Sequence, residues 1–189
     1  IVMMLILLGA AYPTAIFPTL SYYYRNSFNS FNKLFSYSLK LICIIGFPIT
    51  AGGLILAKPI TNLLYGANYN CAVPILQILI WYLLIMYIIR IFSHTLWASN
   101  CENEVLKIST IYALSVIVCS FIFISLYGPI GAALGLVSSS IIAFFIYYSQ
   151  TKKVTNISIW KYVLKPAIAS FIMALFLYSF LNWNLFLLI

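Results

Sequence analysis

Long apolar runs separated by short polar gaps organise this chain of 189 residues. A helix needs about 20 mainly apolar residues to cross a hydrocarbon core of about 30 Å. Five runs reach that length, near residues 1–24, 41–64, 73–97, 108–127 and 130–150, and a sixth covers about 165–182. The tail Asn184–Ile189 turns apolar again and predicts the opening of a partial seventh span. β-Barrel spans alternate polar and apolar residues over about ten positions, and these runs are too long and too uniformly apolar for that. The expected fold is all-α: a polytopic transmembrane helical bundle of about six spans plus a partial seventh.

Composition agrees, with hydrophobic residues at 65% and charged ones at 6%, far from soluble averages. The placement of the charges adds more. Of ten basic residues, Arg25, Lys33, Lys40, Lys107, Lys152, Lys153, Lys161 and Lys165 fall in alternate gaps; Lys58 lies near an intervening gap and Arg90 inside a span. Lys and Arg in short loops stay cytoplasmic, so loops 25–40, 98–107 and 151–165 are expected inside and those near 65–72, 128–129 and 183 outside. A net charge of +8 invites a nucleic-acid reading. Such proteins cluster bases on a solvated face, whereas these flank spans, and no nucleic-acid partner is expected. Both acids, Glu102 and Glu104, share a basic gap with Lys107. They suit the start of a helix capped by Asn100 or Asn103.

Cys43, Cys71, Cys101 and Cys119 have no CxxC spacing and imply no disulfide framework. There is also no metal-ligand cluster, nucleophile triad or phosphate-binding glycine loop, so neither an enzyme nor a cofactor or metal is expected. No basic segment or cleavage site precedes the first apolar run at Ile1, which is therefore not a signal peptide. By charge topology that run enters from outside, which predicts a missing upstream half.

The helix breakers come in a definite order. Pro13 and Pro18 lie in the first span, and Pro48, Gly52 and Gly53 near the middle of the second. Proline inside a helix removes a backbone hydrogen bond and bends it, so these five positions are expected kinks. The second span leaves through Leu63-Leu64-Tyr65-Gly66-Ala67-Asn68-Tyr69, then Ala72 and Pro74, and the third opens with Leu76-Gln77-Ile78-Leu79 before Trp81. Downstream, Tyr127-Gly128-Pro129-Ile130-Gly131-Ala132-Ala133 forms a tight hairpin signal.

That succession (Pro18–Ser21, Lys33–Lys40, Pro48, Leu63–Ala72, Leu76–Trp81 and the glycine hairpin) resembles the Wzx-like O-antigen and capsule flippases. These belong to the multidrug/oligosaccharidyl-lipid/polysaccharide exporter superfamily. The resemblance covers most of the chain and implies that residues 1–189 form the C-terminal lobe of a MATE-like carrier. The implied activity is flipping of polyprenyl-pyrophosphate-linked oligosaccharide by alternating access, for surface polysaccharide biosynthesis in the inner membrane. Implied partners are that cargo, membrane lipids and other polysaccharide-assembly proteins. A lipid II flippase of the same superfamily is a close alternative. A cation-coupled multidrug exporter is another, although its carriers need intramembrane carboxylates and these spans have none. An O-antigen polymerase or ligase should carry a large charged outward loop, which is absent here.

Arg90 is the sharpest candidate for cargo binding. It lies about 8 residues, roughly 12 Å, from the cytoplasmic end of its span, where an arginine usually faces a bundle interior or wet cavity. Within the resemblance its partner is the pyrophosphate, onto which a guanidinium forks. Snorkelling to the interface or capping of freed carbonyls would satisfy it equally. His94 follows at i+4 and joins it as a cavity candidate, with helix packing as its other reading. Lys58 reads as an interfacial anchor. Gly131 and Gly135 have small-xxx-small spacing, which suits close helix packing. Tyr82 or Tyr87, near Arg90, are candidates to stack on sugars.

Overall fold

A computed structural model describes residues 2–155 and 160–186. Six helices follow one another: α1 (Val2–Asn26), α2 (Phe28–Tyr65), α3 (Ala72–Ala98), α4 (Glu102–Tyr127), α5 (Pro129–Val154) and α6 (Trp160–Phe186), with one short 3-10 turn at Ala67–Tyr69. There is no strand among the described residues. Helices α1 to α5 are long and apolar enough to cross a membrane; in α6 the apolar stretch among the described residues is Tyr162–Leu177. The chain is a multi-pass membrane protein. The connections from α1 through α5 are short, so these helices run antiparallel in turn, and the start of α6, at Tyr162 beside Lys33 and Lys40, lies at the same end as the α1–α2 and α3–α4 connections. This basic end carries Arg25, Lys33, Lys40, Lys107, Lys152 and Lys153.

Three boundaries differ from the sequence expectation. The stretch 25–40 is not a loop: after a break at Ser27 it is the first third of α2, a helix of 38 residues or about 57 Å. Ser27 starts it by accepting a hydrogen bond from the Ser30 amide, at 3.4 Å. From Leu41 to Ala57 α2 is uncharged, about 26 Å of helix, so Lys40 and Lys58 bracket its hydrocarbon-spanning part and Phe28–Lys40 project beyond. The gap 98–107 shrinks to Ser99–Cys101, since α4 begins at Glu102. The outward loop expected near 183 is the third difference. No proline or glycine interrupts residues 182–186, and α6 runs unbroken through the predicted loop at 183 to Phe186. Residues 156–159 of the last basic gap and 187–189 of the tail lie outside the described residues.

Helix α3 is the centre of the bundle, packing against α1, α2 and α5, while α4 leans mainly on α5 and α6 on α2. The core holds Phe35, Leu39 and Ile42 of α2 with Leu83, Tyr87, Ile91 and Phe92 of α3. A second cluster of Leu20, Phe31 and Ala98 closes the basic end. Glycines set the close approaches. Gly46 and Gly53 of α2 face α3: a Cβ on Gly53 would lie 2.9 Å from Ile80 Cδ1 and one on Gly46 3.1 Å from Leu84 Cδ1. The Tyr87 ring occupies the space that a side chain on Gly9 would need, and its hydroxyl donates to the Leu5 carbonyl. At the far end Gly128, with φ +59°, turns α4 into α5, and Pro129 starts the new helix at N1, where its missing N–H is harmless. Just beyond, Gly131 and Gly135 let α5 lie on the α4 backbone: a Cβ on Gly131 would collide with the Phe123 carbonyl, and one on Gly135 would sit 2.7 Å from Ser120 Cα.

The helices continue through Pro13 and Pro18 in α1 and through Pro48, Gly52 and Gly53 in α2. Of the glycine pair, Gly53 makes the tight contact with α3, whereas a Cβ on Gly52 would meet Met173 of α6 at an ordinary 3.7 Å.

Candidate functional site

Arg90 is half-buried on the side of α3 that faces α4 and α5. It lines a cavity of about 170 Å³, together with Met86, Ile89, Ser93 and Trp97 of its own helix. The spacing 86–90–93–97 places these residues on one helical face. Ser109 and Tyr112 of α4 and Ala143 and Tyr147 of α5 close the cavity. It is large enough for several waters and polar enough to keep them.

Two hydroxyl pairs involve residues of the cavity wall. Tyr82 Oη and Tyr112 Oη lie 3.2 Å apart and join α3 to α4. Ser109 Oγ and Tyr147 Oη lie 3.4 Å apart and join α4 to α5. Arg90 Nε is buried without a hydrogen-bond partner, and the only ion pair among the described residues is the surface contact of Lys107 with Glu104, at 2.8 Å. An arginine in a bilayer interior costs about 2.5–3.5 kcal/mol on insertion scales. Here it faces hydroxyls and open space rather than a carboxylate. The cavity is thus a cationic recess with four hydroxyl side chains in its wall, suited to an anionic group.

His94, one turn on, is not among the residues lining the cavity. Its buried ring meets Phe17 of α1 edge-on, with centroids 6.0 Å apart, and Trp97 at 5.0 Å. Its Nδ1 is buried without a partner. Arg90 and His94 therefore have different surroundings: Arg90 faces the α4–α5 side, His94 the α1 side. The two tyrosines considered for sugar stacking also separate. Tyr87 is fully buried in the α1–α3 seam, whereas Tyr82 bonds to Tyr112 at the rim of the recess. Lys58 is exposed near the far end of α2. No group of three or more His, Cys, Asp or Glu among the described residues is placed to hold a metal.

Ser109, Tyr112 and Tyr147 were not singled out from the sequence. The available signal was weak: Ser109 and Tyr112 are three residues apart on one helix face, but fifteen tyrosines in the chain gave no means to choose among them.

The family model for the lipid II flippase MurJ matches residues 1–189. The chain belongs to the lipid II flippase MurJ family. A solved structure of a lipid II flippase MurJ in an inward closed conformation has a TM-score of 0.78 and 26% identity to this chain. The similarity covers 92% of this chain and 38% of that one, so the chain spans well under half the length of that relative. No curated protein matches the chain. Family membership agrees with the all-α, multi-pass membrane fold. The Wzx-like resemblance agrees with it at the level of the superfamily.

Proposed function

We propose that this chain is the C-terminal lobe of a carrier that flips lipid II, the lipid-linked peptidoglycan precursor, across the cytoplasmic membrane by alternating access. The observation that carries this reading is the family match along the whole of residues 1–189. It favours lipid II over the O-antigen or capsule unit as cargo. The basic end is the cytoplasmic end, as the bias of lysine and arginine requires. Arg90 offers its guanidinium to the pyrophosphate of the cargo, within the recess closed by Ser109, Tyr112 and Tyr147. An arginine there interacts with an anion more strongly than it would in bulk water, because the recess admits only a few waters between apolar helices. The acyl tail stays in the bilayer and no bond of the cargo is broken.

The test uses the complete carrier in cells that depend on it. Arg90→Ala should abolish transport at unchanged protein level, so that lipid II accumulates in the inner leaflet, and Arg90→Lys should retain part of the activity because charge survives without the fork. Wild-type transport in the alanine variant would remove Arg90 from the mechanism. Depletion of the carrier that leaves lipid II unchanged but stops surface polysaccharide would replace lipid II by the O-antigen or capsule unit.

A further inference from the structure

The seam between α2 and α6 contains two pockets in line, one polar and one apolar, and neither belongs to the Arg90 recess. At the basic end, Asn32, Lys33, Ser36, Tyr37 and Lys40 of α2 and Tyr162 of α6 surround a pocket of about 390 Å³. Further along the same seam, a groove of about 440 Å³ runs between Phe47 and Leu54 of α2 and Ala167 and Phe171 of α6, with Trp81 and Leu84 of α3 also lining it.

Their depth in the membrane follows from the helix. Lys40 marks the edge of the uncharged part of α2, and Lys33 lies seven residues, about 10 Å, further out. The headgroup layer is about 5–8 Å thick on each side of the hydrocarbon core, so both ammonium groups on their flexible stems reach it. The apolar groove begins one to two turns below Lys40, inside the hydrocarbon. Lys33, Ser36, Tyr37 and Lys40 share one helix face by their three- and four-residue spacing. Neither lysine forms an ion pair among the described residues. The two acids of the chain are on α4, which packs on α5 and α3 and not on this seam. Asn32 Oδ1 is buried at the pocket without a hydrogen-bond partner.

We propose that this seam is a binding site for an anionic glycerophospholipid: its phosphate sits between Lys33 and Lys40, and an acyl chain lies in the groove between α2 and α6. The shared chemistry with free phosphate is the pair of ammonium groups, but only a lipid uses the apolar groove directly beneath them. Basic pockets between helices on the cytoplasmic side suit such headgroups. The proposal does not depend on the identity of the transported cargo.

The test is lipid retention by the purified complete protein. It is taken from bilayers of equal phosphatidylglycerol and phosphatidylcholine, and bound lipid is counted by native mass spectrometry. The wild type should keep phosphatidylglycerol selectively, and K33Q/K40Q should keep about tenfold less with an unchanged thermal melt. K33R/K40R should keep nearly the wild-type amount. K152Q/K153Q, which removes the same charge from the end of α5, should have no effect; an equal loss there would mean diffuse surface attraction and overturn the pocket. Displacement by millimolar inorganic phosphate would make this a free-phosphate site and overturn the lipid assignment. A wild-type protein that keeps phosphatidylcholine as readily overturns the proposal whatever the variants do.

Discussion

Helices α3 and α4 are nearly equal in length, at 27 and 26 residues, and their most apolar stretches are similar in mean hydropathy. Yet α3 has thirteen buried residues and α4 only two, Val105 and Ile108, both near the basic end. Phe121 of α4 is 79% exposed while Leu83 of α3 is fully enclosed. In water such an exposed helix would be untenable. In lipid it is not, because acyl chains are as apolar as leucine and give no hydrophobic reason to bury either helix. Close approach and polar contacts decide instead. Gly9, Gly46 and Gly53 on neighbouring helices make room around α3, whereas α4 is held by Gly131 and Gly135 of one partner and by a few hydroxyl bonds.

The largest predicted effect strikes the more exposed helix at the tighter of its two close contacts with α5. Gly131→Leu should force α4 off α5, because the new side chain meets a backbone carbonyl that cannot move aside. Thermal unfolding in detergent should show a loss of about 3 kcal/mol or more, and a near-wild-type melt would mean that this seam is looser than described. Next comes a matched pair. Leu83→Ala on α3 should cost about 2–4 kcal/mol, whereas Phe121→Ala on α4 should stay within about 0.5 kcal/mol. Equal losses would dissolve the contrast between the two helices. A smaller change is expected for Tyr112→Phe, which removes the hydroxyl link to Tyr82. Interhelical bonds in membranes average about 0.6 kcal/mol, so the melt should shift slightly and uniformly. Smallest is Glu104→Gln. It breaks the exposed pair with Lys107 and alters the contact from Gln150 Nε2 at 3.2 Å, and a melt indistinguishable from wild type is expected because water screens such a pair.

The same contrast explains how much of the molecule was legible beforehand. Span existence was readable because twenty apolar residues in a row admit few other uses. Span ends were less so: the lysines at 33 and 40 suggested a loop, but nothing between Phe28 and Lys40 prevents helix, and α2 simply continues past the membrane edge. The Gly131–Gly135 spacing pointed to close packing and is where α5 lies on α4, a local rule with a local cause. Arg90 stood out because charge inside a span is rare. Its neighbours Ser109, Tyr112 and Tyr147 did not, because common residue types acquire meaning only from the helix beside them.

The sequence by itself determined that the chain is a multi-pass helical bundle with a basic end, and that one guanidinium lies within a span. Hydrocarbon thickness and charge are properties each segment meets alone. Tertiary structure decided which helix is central, that Arg90 and His94 face different neighbours, and that two lysines stand over an apolar groove. Those facts depend on how helices pair, and inside a lipid solvent hydropathy does not rank one pairing above another. Small residues and hydroxyls do, and their partners are far away in the chain.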